Sequence, residues 1–531
     1  MATHRVSTGD SLHVSSRRAF LGRSAMAAGS AVLSLSALDR LGARVALAAG
    51  GRDLRGVGYG PLAPVKPSNP GDIAAAGFPD LARFPILALP HGFHYRVFSI
   101  IGGALSDGNP VPVNHDGMAA FAHPTDRGVV RLIRNQEDRF GPGAGSVLGP
   151  PETKYDPLGG GGNVTLDYDE QRHRLVQDYI SLNGTIVNCA GGIAYGFDAW
   201  LTCEETTAGP TTWGRPHGYV FAVPLNVAPG LLPKAEPIRP MGRFSHEAVA
   251  VDQNTGVVYL TEDPGSGVGA GFYRYLPNDR RDLLAGGRLQ MLGVAGRPQY
   301  DTREGQTPGL VLPAVWFDIL DPDPAAAGNT SPMRTFNQGF GQGGAKFNRL
   351  EGCWWGGTRT RRDDDDGGRD RVRGSVFLVS TSGGDAKNTD AVNSDGFREG
   401  YGQIWQYTPD GPSSGGLRLV FESPGQPVLD SPDNITVTPR GGLMLCEDDA
   451  SSRDDDTHPL APGITDVNRL IGLSPAGEAF EFAVNRLNDA EFAGACFSPS
   501  GRTMFVNIFG DTSAGSGMTL AITGPWKAGP L

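Results

Sequence analysis

The sequence predicts an all-β fold, with a β-propeller favoured over a single sandwich, and two observations support this expectation. The chain has 77 glycines and 41 prolines among 531 residues, which is too many for a helical bundle because both residue types are poor in helix interiors and good in turns. From residue 128 onward, short β-branched and aromatic runs alternate with Gly, Pro, Asn and Asp. This spacing is typical of β-sandwiches, barrels and propellers.

The first 48 residues differ from the rest of the chain in the order of their charged, apolar and small residues. Arg17 and Arg18 stand directly before Ala19-Phe20-Leu21, an apolar stretch follows, and small residues end the segment at Ala46-Leu47-Ala48. This order is that of a twin-arginine (Tat) export signal that is removed from the mature protein. We therefore expect the Tat machinery as a partner and a periplasmic or extracellular location. No later run reaches the roughly 20 apolar residues that a membrane-spanning helix needs.

Two further regions complete the predicted organisation. Residues 49–88 are rich in Gly and Pro and are expected to form an extended arm or a cover for a sheet edge. Residues 89–531 are expected to form one propeller domain. Within it, the acidic runs 363–366 and 454–456 are interpreted as solvated loops, because they lack the ligand spacing of a calcium-binding loop.

The predicted hairpins carry acidic residues at their ends. One begins at Glu247 and ends at Glu262, and another begins at Asp433 and ends at Glu447. The start of the first strand and the end of the second lie at the same edge of an antiparallel hairpin. Glu247 is therefore expected to meet Glu262, and Asp433 to meet Glu447. Blades arranged around a ring would collect these carboxylates at one mouth of the channel.

Such a cluster favours bound cations, since crowded carboxylates repel one another. Oxygen ligands select Ca²⁺, Mg²⁺, Mn²⁺ or ferric iron, and only ten histidines argue against a His-rich zinc site, although His115 or His246 could contribute. The net charge of −11 argues against a nucleic-acid partner. The five scattered cysteines are odd in number, so at least one thiol is expected to be free.

Two other motifs lack the context that their chemistry requires. Residues 411–415 match G-x-S-x-G, but they precede a predicted strand, whereas a nucleophile elbow needs a strand, a turn and a helix. The glycine-rich residues 265–271 also lack the strand–loop–helix context of a phosphate-binding loop. Both are interpreted as hairpin turns.

Several segments together resemble the PhoX family of bacterial alkaline phosphatases, formerly the DUF839 group. They follow the order of the family between about Leu89 and Trp526. The matching segments are Asn188-Cys189-Ala190-Gly191-Gly192, Trp200-Leu201-Thr202-Cys203-Glu204-Glu205, Gly242-Arg243-Phe244-Ser245-His246-Glu247-Ala248, Phe347-Asn348-Arg349-Leu350-Glu351-Gly352, Ser431-Pro432-Asp433-Asn434, Cys446-Glu447-Asp448 and Glu491-Phe492-Ala493-Gly494.

The resemblance implies a six-bladed propeller, exported by Tat, that hydrolyses phosphate monoesters with Fe³⁺ and Ca²⁺ at the channel mouth. It implies an iron-binding thiolate at Cys189 and a phosphate-binding arginine at Arg349. Asn434 is expected to assist, so that the candidate catalytic residues are Arg349, Glu247, Glu351 and Asn434. The candidate metal ligands are Cys189, Glu204, Glu205, Glu247, Glu351, Asp433, Glu447 and Asp448.

The chain departs from the family pattern in two places. It has Gln136 where the family commonly has His, and residues 194–200 replace a Trp-containing run that is expected to shape the pocket floor. Two alternatives to a phosphate monoesterase stay open. One is a calcium-stabilised propeller without catalysis, and the other is a hydrolase of another ester, such as a phosphodiester or a lactone. A small phosphate ester is the expected substrate, and a monomer is the expected state.

Overall fold

The computed structural model describes residues 58–360, 371–389, 392–448 and 457–531. The predicted signal peptide, the start of the predicted arm and the acidic runs 363–366 and 454–456 lie outside these residues. The described residues form 26 strands and two short α-helices, α1 (Pro70–Ala75) and α2 (Thr335–Phe340). In this part of the chain, no helix combines the length and the apolar character that crossing a bilayer requires.

The strands form antiparallel meanders, which we number as blades 1 to 6. Blade 1 contains β4 (His115–Ala122), β5 (Val129–Gln136), β6 (Gly161–Asp169) and β7 (Arg174–Thr185). Blade 2 contains β8 (Asn188–Ala194), β9 (Ala199–Glu204) and β10 (Val220–Pro224). Blade 3 contains β11 (His246–Val251), β12 (Val258–Glu262), β13 (Phe272–Asp279), β14 (Asp282–Val294) and β15 (Val311–Asp318).

Among the remaining blades, blades 5 and 6 include strands from both ends of the described chain. Blade 4 contains β16 (Leu350–Thr360), β17 (Arg371–Ser380), β18 (Gln403–Pro409) and β19 (Gly415–Glu422). Blade 5 contains β20 (Pro432–Val437), β21 (Leu443–Glu447), β22 (Arg469–Leu473) and β23 (Ala479–Asn485), extended by β2 (Leu87–Pro90) and β1 (Leu62–Val65). Blade 6 contains β24 (Phe492–Phe497), β25 (Thr503–Ile508), β26 (Met518–Thr523) and β3 (His94–Phe98).

The first strands of the blades surround a common axis. Strand β4 contacts β8, and the contacts continue through β11, β16, β20 and β24 back to β4. Because β15 also pairs with β19, blades 3 and 4 share one nine-stranded sheet, and the fold has five hydrogen-bonded sheets. The predicted all-β propeller is therefore confirmed.

Glycine permits the close approach of neighbouring first strands. A Cβ atom on Gly117 would lie 2.5 Å from the backbone of Ala190, and one on Gly494 would lie 2.6 Å from the carbonyl oxygen of Asp116. Contacts below 3 Å would force the strands apart. The space left on the axis is only about 20 Å³, so a substrate must approach from a mouth of the ring.

Strand β3 closes the ring by pairing with β26, in a register that joins Phe98 to Thr519 and His94 to Thr523. The predicted arm holds this strand in place. Asn69 donates from Nδ2 to the carbonyl oxygen of Val97 at 2.9 Å and accepts from the Val97 N–H at 3.0 Å. Further along the arm, β1 and β2 cover the outer edge of blade 5.

The first hairpin of every blade has the same irregularity. The register shifts just after the first or second residue of the first strand, between His115 and Met118 in blade 1 and at the corresponding place in the other five blades. In each blade, the residue after the second strand donates its N–H to the carbonyl of the residue before the first strand. These bonds are Glu137 to Asn114, Glu205 to Val187, Asp263 to Ser245, Thr381 to Arg349, Asp448 to Ser431 and Phe509 to Glu491.

The two motifs interpreted as turns do lie in turns. Residues 411–415 connect β18 and β19, and the Ser414 hydroxyl donates to the Asp410 carbonyl oxygen at 2.7 Å. Residues 265–271 connect β12 and β13. All five cysteines are buried and free, in agreement with the expectation from their number.

Candidate metal centre

The repeated hairpin defines three positions at one mouth of the ring. The inner-strand position is the second residue of the first strand, and it holds Asp116, Cys189, Glu247, Glu351, Asp433 and Ala493 in blades 1 to 6. The hairpin position is the residue after the second strand, and it holds Glu137, Glu205, Asp263, Thr381, Asp448 and Phe509. The leading position is the residue before the first strand, and it holds Asn114, Val187, Ser245, Arg349, Ser431 and Glu491.

Nine carboxyl groups and one thiol from these positions form a continuous cluster, which we call the acidic ring. In each group of three, the potential ligand atoms lie within 4.8 Å of one another. The groups are Asp116–Glu137–Cys189, Cys189–Glu205–Glu247, Glu205–Asp263–Glu351, Glu247–Glu351–Asp433 and Asp433–Asp448–Glu491. Neighbouring groups share a member, so the ring extends over all six blades.

Several oxygens of the acidic ring are buried without a hydrogen-bond partner among the described residues. They include both carboxylate oxygens of Glu247, Oδ1 of Asp116 and Oε2 of Glu491. A buried carboxylate without a partner costs several kcal/mol or is protonated. Cations between these oxygens would supply the missing interactions, so the donor set fits a site for several multivalent metal ions.

The pKa values show that burial and mutual repulsion disfavour the charged forms of these groups. Burial raises the pKa of Glu247 well above its usual range, and the charges of Asp433 and Glu351 raise it further. Burial and then the charge of Asp448 raise the pKa of Asp433 to about 7. Burial, assisted by Asp116 and Glu247, likewise raises the pKa of the Cys189 thiol. Positive charge must enter the ring before all of these groups can ionise.

Arg349 contributes positive charge from the leading position of blade 4. Its backbone is left-handed, with a φ of 44°, and its Nη2 lies 3.0 Å from Oδ2 of Asp263 and 2.8 Å from Oε1 of Glu351. Burial would raise the pKa of Asp263, but the charge and the hydrogen bonds of Arg349, together with the Gly265 N–H, hold this pKa below its usual value. The hairpin position of the same blade is the neutral Thr381, so Arg349 lies beside a gap in the acidic ring.

Arg139 provides a second guanidinium beside blades 1 and 2. Its Nη2 donates to Oε1 of Glu137 and, at 3.2 Å, to Oε2 of Glu205. The side chain is 62% exposed, whereas the acids that it contacts are buried or half-buried. A cationic group therefore lies on the solvent side of the acidic ring.

Two of the predicted metal ligands, Glu204 and Glu447, lie outside the acidic ring. Glu204 accepts from His217 at 2.7 Å and from the Gly218 N–H at 2.9 Å. Glu447 accepts from Arg469 through both carboxylate oxygens, at 2.7 and 2.8 Å. Both are the last residues of second strands, and consecutive side chains in a strand face opposite ways. The next residues, Glu205 and Asp448, are the ones that reach the ring.

The contacts predicted across the hairpins, Glu247 with Glu262 and Asp433 with Glu447, are also displaced by one residue. Glu262 pairs in register with His246, and Glu447 with Pro432. The Glu262 carboxylate accepts from Arg334 and from the Tyr273 hydroxyl, at 2.9 and 2.7 Å. It is Asp263 that enters the acidic ring, in a group with Glu205 and Glu351.

The other predicted residues divide into ligands and supports. Cys189, Glu205, Glu247, Glu351, Asp433 and Asp448 are all in the acidic ring. Asn434 lies beside it: Nδ2 donates to Oδ1 of Asp433 at 3.1 Å, and Oδ1 accepts from the Gly494 N–H at 2.6 Å. Asn434 therefore positions Asp433.

The two histidines considered as ligands have other contacts. Nε2 of His115 donates to the Pro112 carbonyl oxygen at 2.8 Å, and Nε2 of His246 donates to that of Gly242 at 2.9 Å. Burial lowers the pKa of His246 to about 3. Neither histidine belongs to a three-residue group of the acidic ring.

Sequence reasoning missed four carboxyl groups of the ring, Asp116, Glu137, Asp263 and Glu491. The sequence does contain part of the pattern that identifies these positions. His115-Asp116-Gly117 repeats the order of His246-Glu247-Ala248, and Glu137 follows its strand as Glu205 follows β9. Aligning the hairpins of all blades with one another would have identified these positions.

The segment expected to shape the pocket floor lies partly elsewhere. The turn at residues 195–198 connects the far ends of β8 and β9, whereas Asn188 and Glu204 mark their ends at the acidic ring. Trp200 is buried and lines the cavity on the axis, and its Nε1 donates to Oδ1 of Asn135 at 2.8 Å. Nδ2 of Asn135 donates to the Cys189 carbonyl oxygen at 2.7 Å, so Trp200 supports the acidic ring from below while the turn lies at the opposite mouth.

The sequence matches a family model described as alkaline phosphatase PhoX over residues 168–510, which is more than half of the chain. Among curated proteins, none is detectably similar in sequence.

One solved structure supports the observed fold, and a second is more distant. PhoX of Pseudomonas fluorescens, in complex with the transition state analogue vanadate, has a TM-score of 0.58 at 18% identity, over 84% of this chain and 97% of that chain. XC5397 from Xanthomonas campestris, a gluconolactonase, has a TM-score of 0.36 at 10% identity, over 83% of this chain and 89% of its own. The second likeness is too distant to bear on function.

Proposed function

Because the chain belongs to the alkaline phosphatase PhoX family and is thus a phosphatase, we propose that it hydrolyses phosphate monoesters at the acidic ring with calcium and ferric iron. One observation carries this proposal. Ten potential ligands from six blades surround a mouth in which Arg349 lies beside the single neutral hairpin position among blades 1 to 5. An anionic phosphoryl group would bind where a positive charge lies among the acids, and Arg349 supplies that charge.

Arg349 is the group that would bind the phosphoryl oxygens. A guanidinium can donate two parallel hydrogen bonds to them. Asp263 accepts from Nε and Nη2 of Arg349 at 3.2 and 3.0 Å, and Oε1 of Glu351 lies 2.8 Å from Nη2. These acids orient the guanidinium, and among the described residues none accepts a hydrogen bond from Nη1. The chain thus fixes the donors before substrate arrives, which lowers the cost of orienting them in the transition state.

The donor set supports two kinds of metal. Cys189 belongs to two groups of the acidic ring and is their only sulfur ligand, and a thiolate suits iron better than calcium. The carboxylates of Glu247, Glu351, Asp433 and Asp448 are the oxygen ligands that Ca²⁺ and Fe³⁺ accept. When bound, such ions supply Lewis acidity and neutralise charge on the phosphoryl oxygens.

Asn434 has a supporting role in this proposal. Its bonds to Asp433 and to the Gly494 N–H tie the inner strands of blades 5 and 6 together at the ring. The narrow axis below the ring excludes bulk water from beneath the site. The reacting phosphoryl group would therefore face protein groups on one side and solvent on the other.

Elemental analysis combined with a panel of esters tests the proposal. The purified protein is expected to contain iron and calcium and to hydrolyse phosphate monoesters faster than phosphodiesters or lactones. Calcium alone, with no turnover of any ester, would support a non-catalytic calcium-stabilised propeller. Faster turnover of a diester or a lactone would assign the site to another ester hydrolase.

A pair of cysteine variants tests the iron site. Cys189→Ser should bleach any visible ferric–thiolate absorbance and abolish turnover, because an oxygen ligand does not give that colour. Cys203→Ser is the matched control, since Cys203 is buried in a hydrophobic cluster of blades 2 and 3. If Cys189→Ser keeps iron, colour and activity together, the thiol is not a ligand.

The remaining part of the proposal concerns location. We propose that the Tat machinery exports the folded protein to the periplasm or beyond and that the mature protein is a monomer. Replacement of Arg17 and Arg18 by lysine should block export while leaving folding intact, because the export receptor reads the arginine pair as an address. Normal export of the doubly substituted protein would contradict this assignment.

A further inference from the structure

The loop that carries Arg139 is held rigidly at the mouth of the propeller. Asp138 accepts from the Phe140 N–H at 3.0 Å and from the Ser146 N–H at 2.6 Å, and its own carbonyl oxygen accepts from the Val187 N–H at 3.1 Å. These bonds fix the backbone on both sides of Arg139. Its guanidinium is consequently placed by the fold, even though the side chain is mostly exposed.

Arg139 contacts the acidic ring with only part of its guanidinium. Its ion pairs offset the charges of the buried Glu137 and the half-buried Glu205, but it uses a single nitrogen, Nη2, for both contacts. None of the described residues accepts a hydrogen bond from its Nη1 or Nε. These two nitrogens therefore remain available to donate to a carboxylate or a phosphate.

Arg139 and Arg349 flank the same part of the acidic ring. Arg139 contacts Glu205, and Arg349 contacts Asp263, while Glu205 and Asp263 belong to one group whose ligand atoms lie within 4.8 Å of each other. Both guanidinium charges also act on Asp448, where they oppose the larger effect of burial, which raises the pKa of this carboxyl group. A small substrate held by Arg349 through its phosphoryl group can therefore extend towards Arg139.

We propose that Arg139 forms a subsite for the leaving group, so that the enzyme prefers phosphate monoesters whose leaving group carries a second negative charge. This inference rests on the proposed phosphate monoesterase function. The favoured leaving group is therefore a small carboxylate- or phosphate-bearing molecule.

Matched substrates test the subsite. Phenyl phosphates with a carboxylate at the 3- or 4-position are compared with the isosteric carboxamides. The carboxamide withdraws electrons more strongly, so intrinsic reactivity favours the uncharged substrate. The wild-type enzyme should nevertheless prefer one of the carboxylates by about fivefold in kcat/KM, mainly through a lower KM, because a charge-assisted pair at an exposed site supplies about that factor.

Variants assign the preference to Arg139. Arg139→Gln should remove the carboxylate preference while turnover of the carboxamide and the metal content stay unchanged, and Arg139→Lys should keep part of the preference. Arg172→Gln is the matched control. Arg172 is 72% exposed and is also paired with an acid, Asp169, at 2.8 Å, but it lies at the other end of blade 1. This control should behave as wild type.

Three outcomes would overturn the inference. They are equal KM values for both substrates in the wild type, a preference that persists in Arg139→Gln, and a loss of metal and of both activities together in Arg139→Gln. The last outcome would make Arg139 a structural part of the acidic ring. Absence of turnover on every phosphate monoester by the metal-containing wild type would instead contradict the proposed function itself.

Discussion

At the scale of the residue, Arg349 shows how backbone and side chain together define a binding group. Non-glycine residues rarely adopt a left-handed backbone, yet the leading positions Asn114, Val187, Arg349 and Ser431 all do so. The conformation accompanies the repeated hydrogen bond between the hairpin position and the leading position in these four blades, but not at Ser245 and Glu491. In blade 4, that shared geometry places a guanidinium at the gap in the acidic ring.

Arg349→Lys tests this role. Lysine keeps the charge but loses the two parallel donors, so turnover of phosphate esters should fall by about tenfold to a hundredfold, as it does when an oriented donor is removed from a transition state. Iron and calcium contents should not change. Arg239→Lys, at a half-exposed arginine paired with Asp323, is the control and should keep full activity. Unchanged turnover in Arg349→Lys would remove this residue from phosphate binding.

At the scale of the element, the ends of the second strands of blades 2, 3 and 5 each carry two adjacent acids with different roles. The last residue of the strand is neutralised within the protein, as Glu204 is by His217 and Glu447 by Arg469. The residue that follows turns to the acidic ring. Adjacent acids in the sequence therefore have opposite environments, one structural and one metal-binding.

The pair Glu204 and Glu205 makes this difference measurable. Glu205→Gln should lower the metal content and the activity, with little change in the melting temperature of the metal-free protein. Glu204→Gln removes the partner of a buried histidine and should destabilise the fold by about 3–5 kcal/mol, while the folded fraction still binds metal. Thermal melts and elemental analysis of both variants check the assignment, and the reverse pattern would contradict it.

The same elements show how far the sequence could be interpreted. Gly, Pro and strand spacing indicated the propeller, and the acidic hairpin ends of Glu247 and Asp433 indicated a metal site at one mouth. The register could not be obtained this way, because the bulge after the first residues shifts the pairing by one residue. That shift decides between Glu262 and Asp263, and between Glu447 and Asp448. Glu137 was missed because Gln136 precedes it where blades 2, 3 and 5 have the first acid of a recognisable pair.

At the scale of the whole molecule, the acidic ring determines how stability depends on pH and on metals. The metal-free ring contains carboxyl groups whose pKa values in the folded state are raised, that of Asp433 to about 7. A group with a raised folded-state pKa stabilises the fold fully below its unfolded value, near 4, and this stabilisation is lost as the pH rises through the folded value. Bound metal ions neutralise the carboxylates in place of protons, so the metal-containing protein should not lose this stability as the pH rises.

We therefore expect the metal-free protein, prepared with a strong chelator, to melt at progressively lower temperature between pH 5 and pH 8. The metal-containing protein should change much less, so that the difference in melting temperature grows with pH by several degrees. Return of calcium to the chelated protein at pH 8 should restore part of the difference. A metal-free melting temperature that is constant or rises over this range would contradict the picture of a ring of repelling acids.

The pairing of β3 with β26 has a further consequence, for the time at which the protein matures during its synthesis. These strands come from opposite ends of the described chain, and the ring needs Asp116 from the first blade together with Glu491 from the last. Synthesis must therefore have passed Glu491 before the ligand set is complete, and β26 before the ring of strands can close. Long-range pairing of this kind makes folding slow, and a translation product that stops before Glu491 lacks one member of the acidic ring.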